Sequence, residues 1–452
     1  MTSGEDRELT ITTEDYSLLT DLYQLTMAAC YTGENLANKP ASFELFVRHL
    51  PENFGYLIAT GLNQALDYLK KLQFQPAQIA ALQKTGIFDR APEKFWQTLA
   101  KTKFTGDVWA VPEGEAIFAN EPILRVEAPL WQAQLVETYL LNTINYQTLI
   151  ATKAARMRDL AGEKAKLLEF GSRRAFSPQG AIWAARAAIA GGMDGTSNVL
   201  AALKLGRQPS GTMAHSLVMA FKAISQNEDE AFFAFERYFQ NPIFLIDTYD
   251  TVAAARRLAE KAKEGKIKFA GVRIDSGDLL EMSRTVKNIL PDTKVIVSGD
   301  MDEWEISRLK AADAPIDGYG IGTKLVTGKP VNGVYKLVEV DGIATMKESS
   351  SKVTYPGRKQ IFRTYNNSLI SRDRLALVSE TPQDNEIPLL KLVMKQGLAI
   401  EEPENLATIS QRTRSTLTSL PPKTRKIDRP EPIEVEISPT LDRLRLSLST
   451  HN

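Results

Sequence analysis

Apolar residues recur at three- and four-residue spacing through Leu18, Leu19, Leu22, Leu25 and Ala29, a period that predicts an amphipathic helix carrying Asp21 and Tyr23. The run FELFVRHL at 43–50 alternates in part, as a half-buried strand does, and Leu62, Ala65, Leu66 and Leu69 restore the helical period. Between residues 104 and 126, Val, Ile and Phe are interrupted by Gly106, Pro112, Gly114 and Pro122, which predicts a small β-rich subdomain. From about Ala128 the texture becomes Ala- and Leu-rich and helical. Between Lys166 and Thr327 one unit repeats: a short apolar run, a polar or glycine-bearing turn, then a helix. Its instances are IFLIDTYD from Ile243, FAGVRIDSGD from Phe269, VIVSGDMDE from Val295 and GYGIGTKL from Gly318. Helical stretches at 252–263, 279–290 and 303–311 separate them.

Strands alternating with helices imply parallel pairing through right-handed crossovers. In α/β barrels the C-terminal strand ends carry the active site. That rule places Asp247, Asp250, Arg273, Asp275, Asp300 and Thr323 on one face. After about Ile400 the chain turns proline-rich and charged (EEPENL, PPKTRK, RPEPIEVEI), as expected of an extension that hugs the surface or is partly disordered.

Composition narrows the partners. The chain has 452 residues, enough for two or three domains, and its 55 basic and 55 acidic residues cancel. No global field draws it to nucleic acid or an anionic membrane, so phosphates would be held by placed cations and backbone amides. A single cysteine, Cys30, excludes an internal disulfide framework and a multi-cysteine zinc site. No apolar run is long enough to span a bilayer and no signal peptide is evident, so the expected location is the cytoplasm.

Three histidines occur. His49 and His451 read as surface or structural residues. His215 follows SGTMA at the start of a helical pattern, where free amides and the positive end of the helix dipole suit a phosphate attached to it. The bland alternative is a half-buried histidine bonded to a neighbouring carbonyl. A histidine nucleophile also needs a partner that fixes its tautomer, and Asp247 is expected within hydrogen-bond reach, in a cleft also lined by Arg273. GVRIDSGD puts Arg273 and Asp275 on one face of a strand, either as a rim ion pair or as a phosphate cation beside an acceptor for ribose or magnesium. VSGD and GIGT place Gly299, Asp300, Gly322 and Thr323 at glycine turns, which are plain turns or phosphate nests. EFGSRRAFSPQG offers Phe170 with Arg173 and Arg174, suited to a flat anionic heterocycle if not simply core and solvated surface. Asp194 in GGMDGTSN is either a loop cap or a polar site residue.

Read in order, LLTDLYQLTMA, EFGSRRA, GGMDGTSNVLA, GTMAHS, GVRIDSGDL, GIGTKLVT and GVYKLV resemble the nicotinate phosphoribosyltransferase family, over about residues 16–365. The resemblance implies a type II phosphoribosyltransferase: an irregular TIM-like α/β barrel at 128–345, a smaller α+β N-terminal domain at 1–127, and a C-terminal segment at 346–452 packing on the latter. It implies an ATP-dependent enzyme of NAD salvage, classed with the ligases, that joins nicotinate to phosphoribosyl pyrophosphate with magnesium, as a homodimer. By position, His215 matches the phosphorylated histidine and Asp247 its orienting carboxylate. Tyr23 and Phe170 match the rings that sandwich the pyridine, with Thr212, Arg273 and Arg173 beside nicotinate. Asp275 matches the residue facing ribose or magnesium, and Gly299, Asp300, Gly322 and Thr323 cradle the ribose phosphate. A nicotinamide phosphoribosyltransferase and a non-catalytic pyridine-nucleotide sensor are the competing readings.

Overall fold

The computed structural model describes residues 9–347 and 354–449; His451 lies outside them. Two compact units divide the chain, one formed by residues 1–149 with 330–452 and the other by 150–329.

In the first unit the helix expected from the Leu18–Ala29 period runs Leu22–Gly33, preceded by a 3-10 turn at Thr13–Leu18. A seven-stranded sheet is built around Pro40–Phe46, which pairs antiparallel with both Pro122–Pro129 and Val334–Val340. The FELFVRHL strand therefore starts earlier and ends earlier than its sequence suggests. A four-stranded sheet contains Lys359–Asn366 and Leu369–Leu377. Across this pair Arg363 and Asp373 form a fully buried ion pair at 2.6 Å, a charge kept inside because its partner is inside with it. Within the described part of the proline-rich tail, Leu406–Ser419 is a helix that buries Ile409 and Leu417, and Val435–Ile437 adds a parallel strand to Leu369–Leu377. Its charged, proline-rich flanks conceal that short apolar stripe from a reading by composition.

The second unit carries one six-stranded, all-parallel sheet, in the order Gly195–Thr196, Lys166–Glu169, Gly318–Ile321, Lys294–Val297, Gly271–Ile274, Ile243–Leu245. This is the α/β architecture expected, in the form of a half-barrel. Its inner strands bury apolar residues at alternate positions, Val272, Ile274, Val295, Val297, Tyr319 and Ile321, while Arg273 interrupts the apolar pattern of Gly271–Ile274. Three of the crossover helices start on a capping carboxylate. Asp250, Asp278 and Asp302 accept the backbone N–H groups of Ala253, of Leu280 and Glu281, and of Glu305. Asp250 is thus engaged as a cap in the turn that follows Asp247.

Candidate active site

The C-terminal ends of these parallel strands gather most of the candidate residues. His215 is the first residue of the helix His215–Ser225, whose N-cap, Ala214, has no side chain able to bond the free amides. The imidazole is part-exposed, and its Nδ1 lies 3.0 Å from the Thr248 hydroxyl. Its Nε2 faces two carboxylates, Asp247 Oδ1 at 4.0 Å and Asp275 Oδ2 at 3.9 Å. Both separations are ion-pair distances, longer than a hydrogen bond. The direct His215–Asp247 hydrogen bond expected from sequence is therefore absent, and Thr248 holds the ring instead.

The carboxylates are held by their other oxygens. Asp247 Oδ2 accepts the Asp275 backbone N–H at 2.9 Å and the Ser276 hydroxyl at 2.6 Å, while Asp275 Oδ1 accepts the Ser298 hydroxyl at 2.5 Å. Asp247 Oδ1 is buried without a hydrogen-bond partner, and buried carboxylate oxygens are seldom left so. Each acid thus presents one oxygen toward His215 Nε2.

Arg273 rises from its strand onto the same edge. Its Nη1 donates to the Thr212 hydroxyl, its buried Nε has no partner, and its guanidinium lies 5.9 Å from the Phe170 ring centroid. Burial, with Arg173 adding to it, pulls this guanidinium below the usual arginine range, against the opposing pull of Asp275 and Asp247. It stays charged at neutral pH. Phe170 ends its strand by donating its N–H to Ile321 at 2.7 Å. Gly320 makes room for its ring, since a Cβ there would meet Phe170 Cε2 at 2.5 Å. Glu169, immediately before, accepts from the Gly171 N–H and the Thr196 hydroxyl, and burial raises its carboxyl above the ordinary range despite both bonds. Gly299 and Asp300 end the Lys294–Val297 strand in a turn with successive positive φ of 89° and 42°. Gly322 and Thr323 start the short helix Thr323–Val326.

Arg173 is exposed on the 3-10 turn Ser172–Arg174 that follows Phe170, and its charge acts on Arg273. Tyr23 is exposed on the helix Leu22–Gly33 of the first unit. Asp194 is turned away from the edge. The Asp194 carboxylate takes a 2.6 Å bond from Arg158 and a 2.8 Å bond from the Leu167 N–H, near the N-terminal end of its strand. Sequence reasoning passed over Thr248, Ser276, Ser298 and Glu169. The hydroxyls stand beside the acids already singled out, in IDTYD, RIDSGD and VSGD, and adjacency was their only signal.

An acid pair, a half-exposed histidine at a helix start, a buried cation over an aromatic ring and glycine turns share one parallel-sheet edge, a chemistry suited to an anionic ring and a phosphorylated sugar. Family models agree with that class. The nicotinate phosphoribosyltransferase N-terminal domain matches residues 18–145, the family's main model 165–359 and its C-terminal domain 385–445. The chain is 40% identical over 465 residues to the nicotinate phosphoribosyltransferase of Bacillus subtilis, covering 94% of this chain and 93% of that one. It is 31% identical to the human enzyme of that name, covering 95% and 96%. A crystal structure of human nicotinic acid phosphoribosyltransferase superposes with a TM-score of 0.83 at 29% identity, covering 95% of this chain and 99% of that one. The nicotinate-nucleotide pyrophosphorylase structure from Pyrococcus furiosus shares the fold, at TM-score 0.75 and 24% identity, covering 92% and 99%. The chain belongs to the nicotinate phosphoribosyltransferase family. Among the described residues no helix is long and apolar enough to cross a membrane.

Proposed function

We propose that the protein is a nicotinate phosphoribosyltransferase of NAD salvage, converting nicotinate and phosphoribosyl pyrophosphate to nicotinate mononucleotide and pyrophosphate while spending ATP through His215. The observation that carries the reading is the meeting of His215, Asp247, Arg273 and Asp275 on one sheet edge in a chain of this family.

The base is bound by shape and charge. Phe170 offers a π face, and the unpaired Nε of Arg273 beside it is a buried donor awaiting an anion, which a pyridine carboxylate supplies. The pyridine nitrogen attacks with its own lone pair, so no base is required; orientation is. The anomeric carbon–oxygen bond breaks, the electron pair leaves with pyrophosphate and a carbon–nitrogen bond forms. Asp275 faces the positive charge that develops on the ribose. The glycine turns at Gly299–Asp300 and Gly322–Thr323 present backbone N–H groups to the ribose phosphate.

Magnesium fits the donor set: Asp247 Oδ1 and Asp275 Oδ2 are hard oxygen ligands with free valence, and no group of three or more protein ligands stands among the described residues, so substrate oxygens would complete the shell. It would neutralise the departing pyrophosphate. ATP would transfer its terminal phosphoryl group to a His215 ring nitrogen, the nitrogen–phosphorus bond forming as ADP leaves with the bridging oxygen. The new dianion would lie at a helix start with uncapped amides. The reading includes a cytoplasmic homodimer, to which the exposed Val199, Leu200 and Leu203 are suited as contact surface.

Purified protein is incubated with magnesium, phosphoribosyl pyrophosphate and either nicotinate or nicotinamide, and mononucleotide is measured by chromatography. Turnover of nicotinate supports the reading. Product from nicotinamide alone transfers it to the sister activity, and no product from either base leaves a sensor.

A further inference from the structure

We infer that Thr248 is the positioning residue of the histidine: its hydroxyl accepts the Nδ1–H of His215 and so keeps the lone pair on Nε2, the nitrogen that faces the site. The inference rests on the phosphohistidine reading for its purpose, and on geometry for its substance.

Thr248 Oγ1, 3.0 Å from Nδ1, is the one hydrogen-bond partner found for the ring among the described residues. Both carboxylates that sequence logic would nominate stand too far away, at 4.0 and 3.9 Å, and they face the other nitrogen. Without a magnesium ion on them, those two acids favour a proton on Nε2, where it would lie between them. A proton there removes the lone pair that must attack phosphorus. With the Thr248 hydroxyl as acceptor, the bond on the opposite side of the ring counters this pull by giving the proton a site on Nδ1.

A hydroxyl is suited to the task. A carboxylate in its place would also orient the ring, but would stabilise imidazolium and set a third negative charge beside an incoming phosphate. Threonine adds stiffness, since its β-branch restricts χ1 and the oxygen is held rather than free to rotate. Thr248 follows Asp247 directly, so one extended step after the Ile243–Leu245 strand sends an acid to Nε2 and a hydroxyl to Nδ1.

The test uses the full-length protein labelled with 15N in its histidine rings. Three histidines give three sets of signals, and His215→Ala assigns the relevant one. The wild type is expected to carry the neutral-ring proton on Nδ1. In Thr248→Val, of nearly the same shape, the proton moves to Nε2 and the rate of phosphohistidine formation from ATP falls about ten-fold or more, roughly one hydrogen bond's worth. Thr248→Ser keeps the Nδ1 proton and most of the rate, and a near-native melting temperature for both variants separates positioning from folding. A wild-type proton on Nε2, or a Thr248→Val ring with the wild-type tautomer, overturns the inference. If the tautomer shifts as expected but wild type takes no phosphate from ATP, Thr248 keeps its positioning role and the phosphohistidine reading fails.

Discussion

Gly299 lies directly over the backbone of Asp275: a Cβ on Gly299 would come within 2.2 Å of the Asp275 carbonyl oxygen, and its φ of 89° is one that side chains rarely adopt. The turn that ends one strand is thereby pressed against the residue that ends its neighbour. Gly299→Ala carries both penalties, a strained φ and a backbone clash, of about 1–3 kcal/mol together. The turn must move, and Asp275 with it. The expected result is a lower kcat with a smaller loss of melting temperature; unchanged kinetics would show that the turn does not position Asp275.

Gly320 makes a second close approach, with Phe170. A methyl group there would meet the ring at 2.5 and 2.6 Å, and the ring is the movable partner. Gly320→Ala should displace it and raise KM for nicotinate by about ten-fold, the scale of one aromatic contact, while KM for phosphoribosyl pyrophosphate changes little. Steady-state kinetics with each substrate varied in turn decide this.

Arg273→Lys removes the bond to Thr212 and the buried Nε donor while keeping a positive charge. Arginine and lysine are not interchangeable where a planar cation meets a carboxylate. KM for nicotinate should rise by about ten- to a hundred-fold, equivalent to one or two charge-assisted hydrogen bonds. A variant with wild-type KM would remove Arg273 from the base pocket.

Asp194 separates a structural from a substrate-binding role. Burial works against its ionisation, but the Leu167 N–H and Arg158 outweigh it and hold the carboxyl below the ordinary aspartate range. Its ionised form is therefore favoured in the folded chain. That stability is fully present at neutral pH and is lost as pH falls from the usual aspartate range through the lower folded value. Asp194→Asn should cost about 1–3 kcal/mol, because the buried Arg158 loses its counter-charge, and should flatten the acid limb of the stability–pH curve. Both KM values should stay near wild type; a raised KM with unchanged melting would assign Asp194 to substrate.

Much of this was legible in the sequence because the signals were periodic or tied to a motif. Apolar runs ending in polar turns gave the parallel strands, and the helix start at His215 followed from the SGTMA lead-in and the apolar spacing after it. Distance was not legible. Asp247 and His215 do meet, but the 4.0 Å between them depends on how far Ser276 and the Asp275 amide draw the carboxylate back. Asp194 looked like a site residue because it sits in a glycine-rich loop, and only coordinates show Arg158, 36 residues earlier, taking its charge. The helical tail was obscured by proline and charge around a stripe as short as Ile409 and Leu417.

The central claim, that ATP is spent through His215, is tested most directly by incubating the protein with ATP labelled in its terminal phosphate and magnesium, then measuring protein-bound label. Label that is acid-labile and base-stable, maps to the peptide containing His215, disappears in His215→Ala and is discharged when nicotinate and phosphoribosyl pyrophosphate are added is the expected result. Wild-type protein that turns over nicotinate with no such label, or a His215→Ala variant that is stimulated by ATP as wild type is, would contradict it.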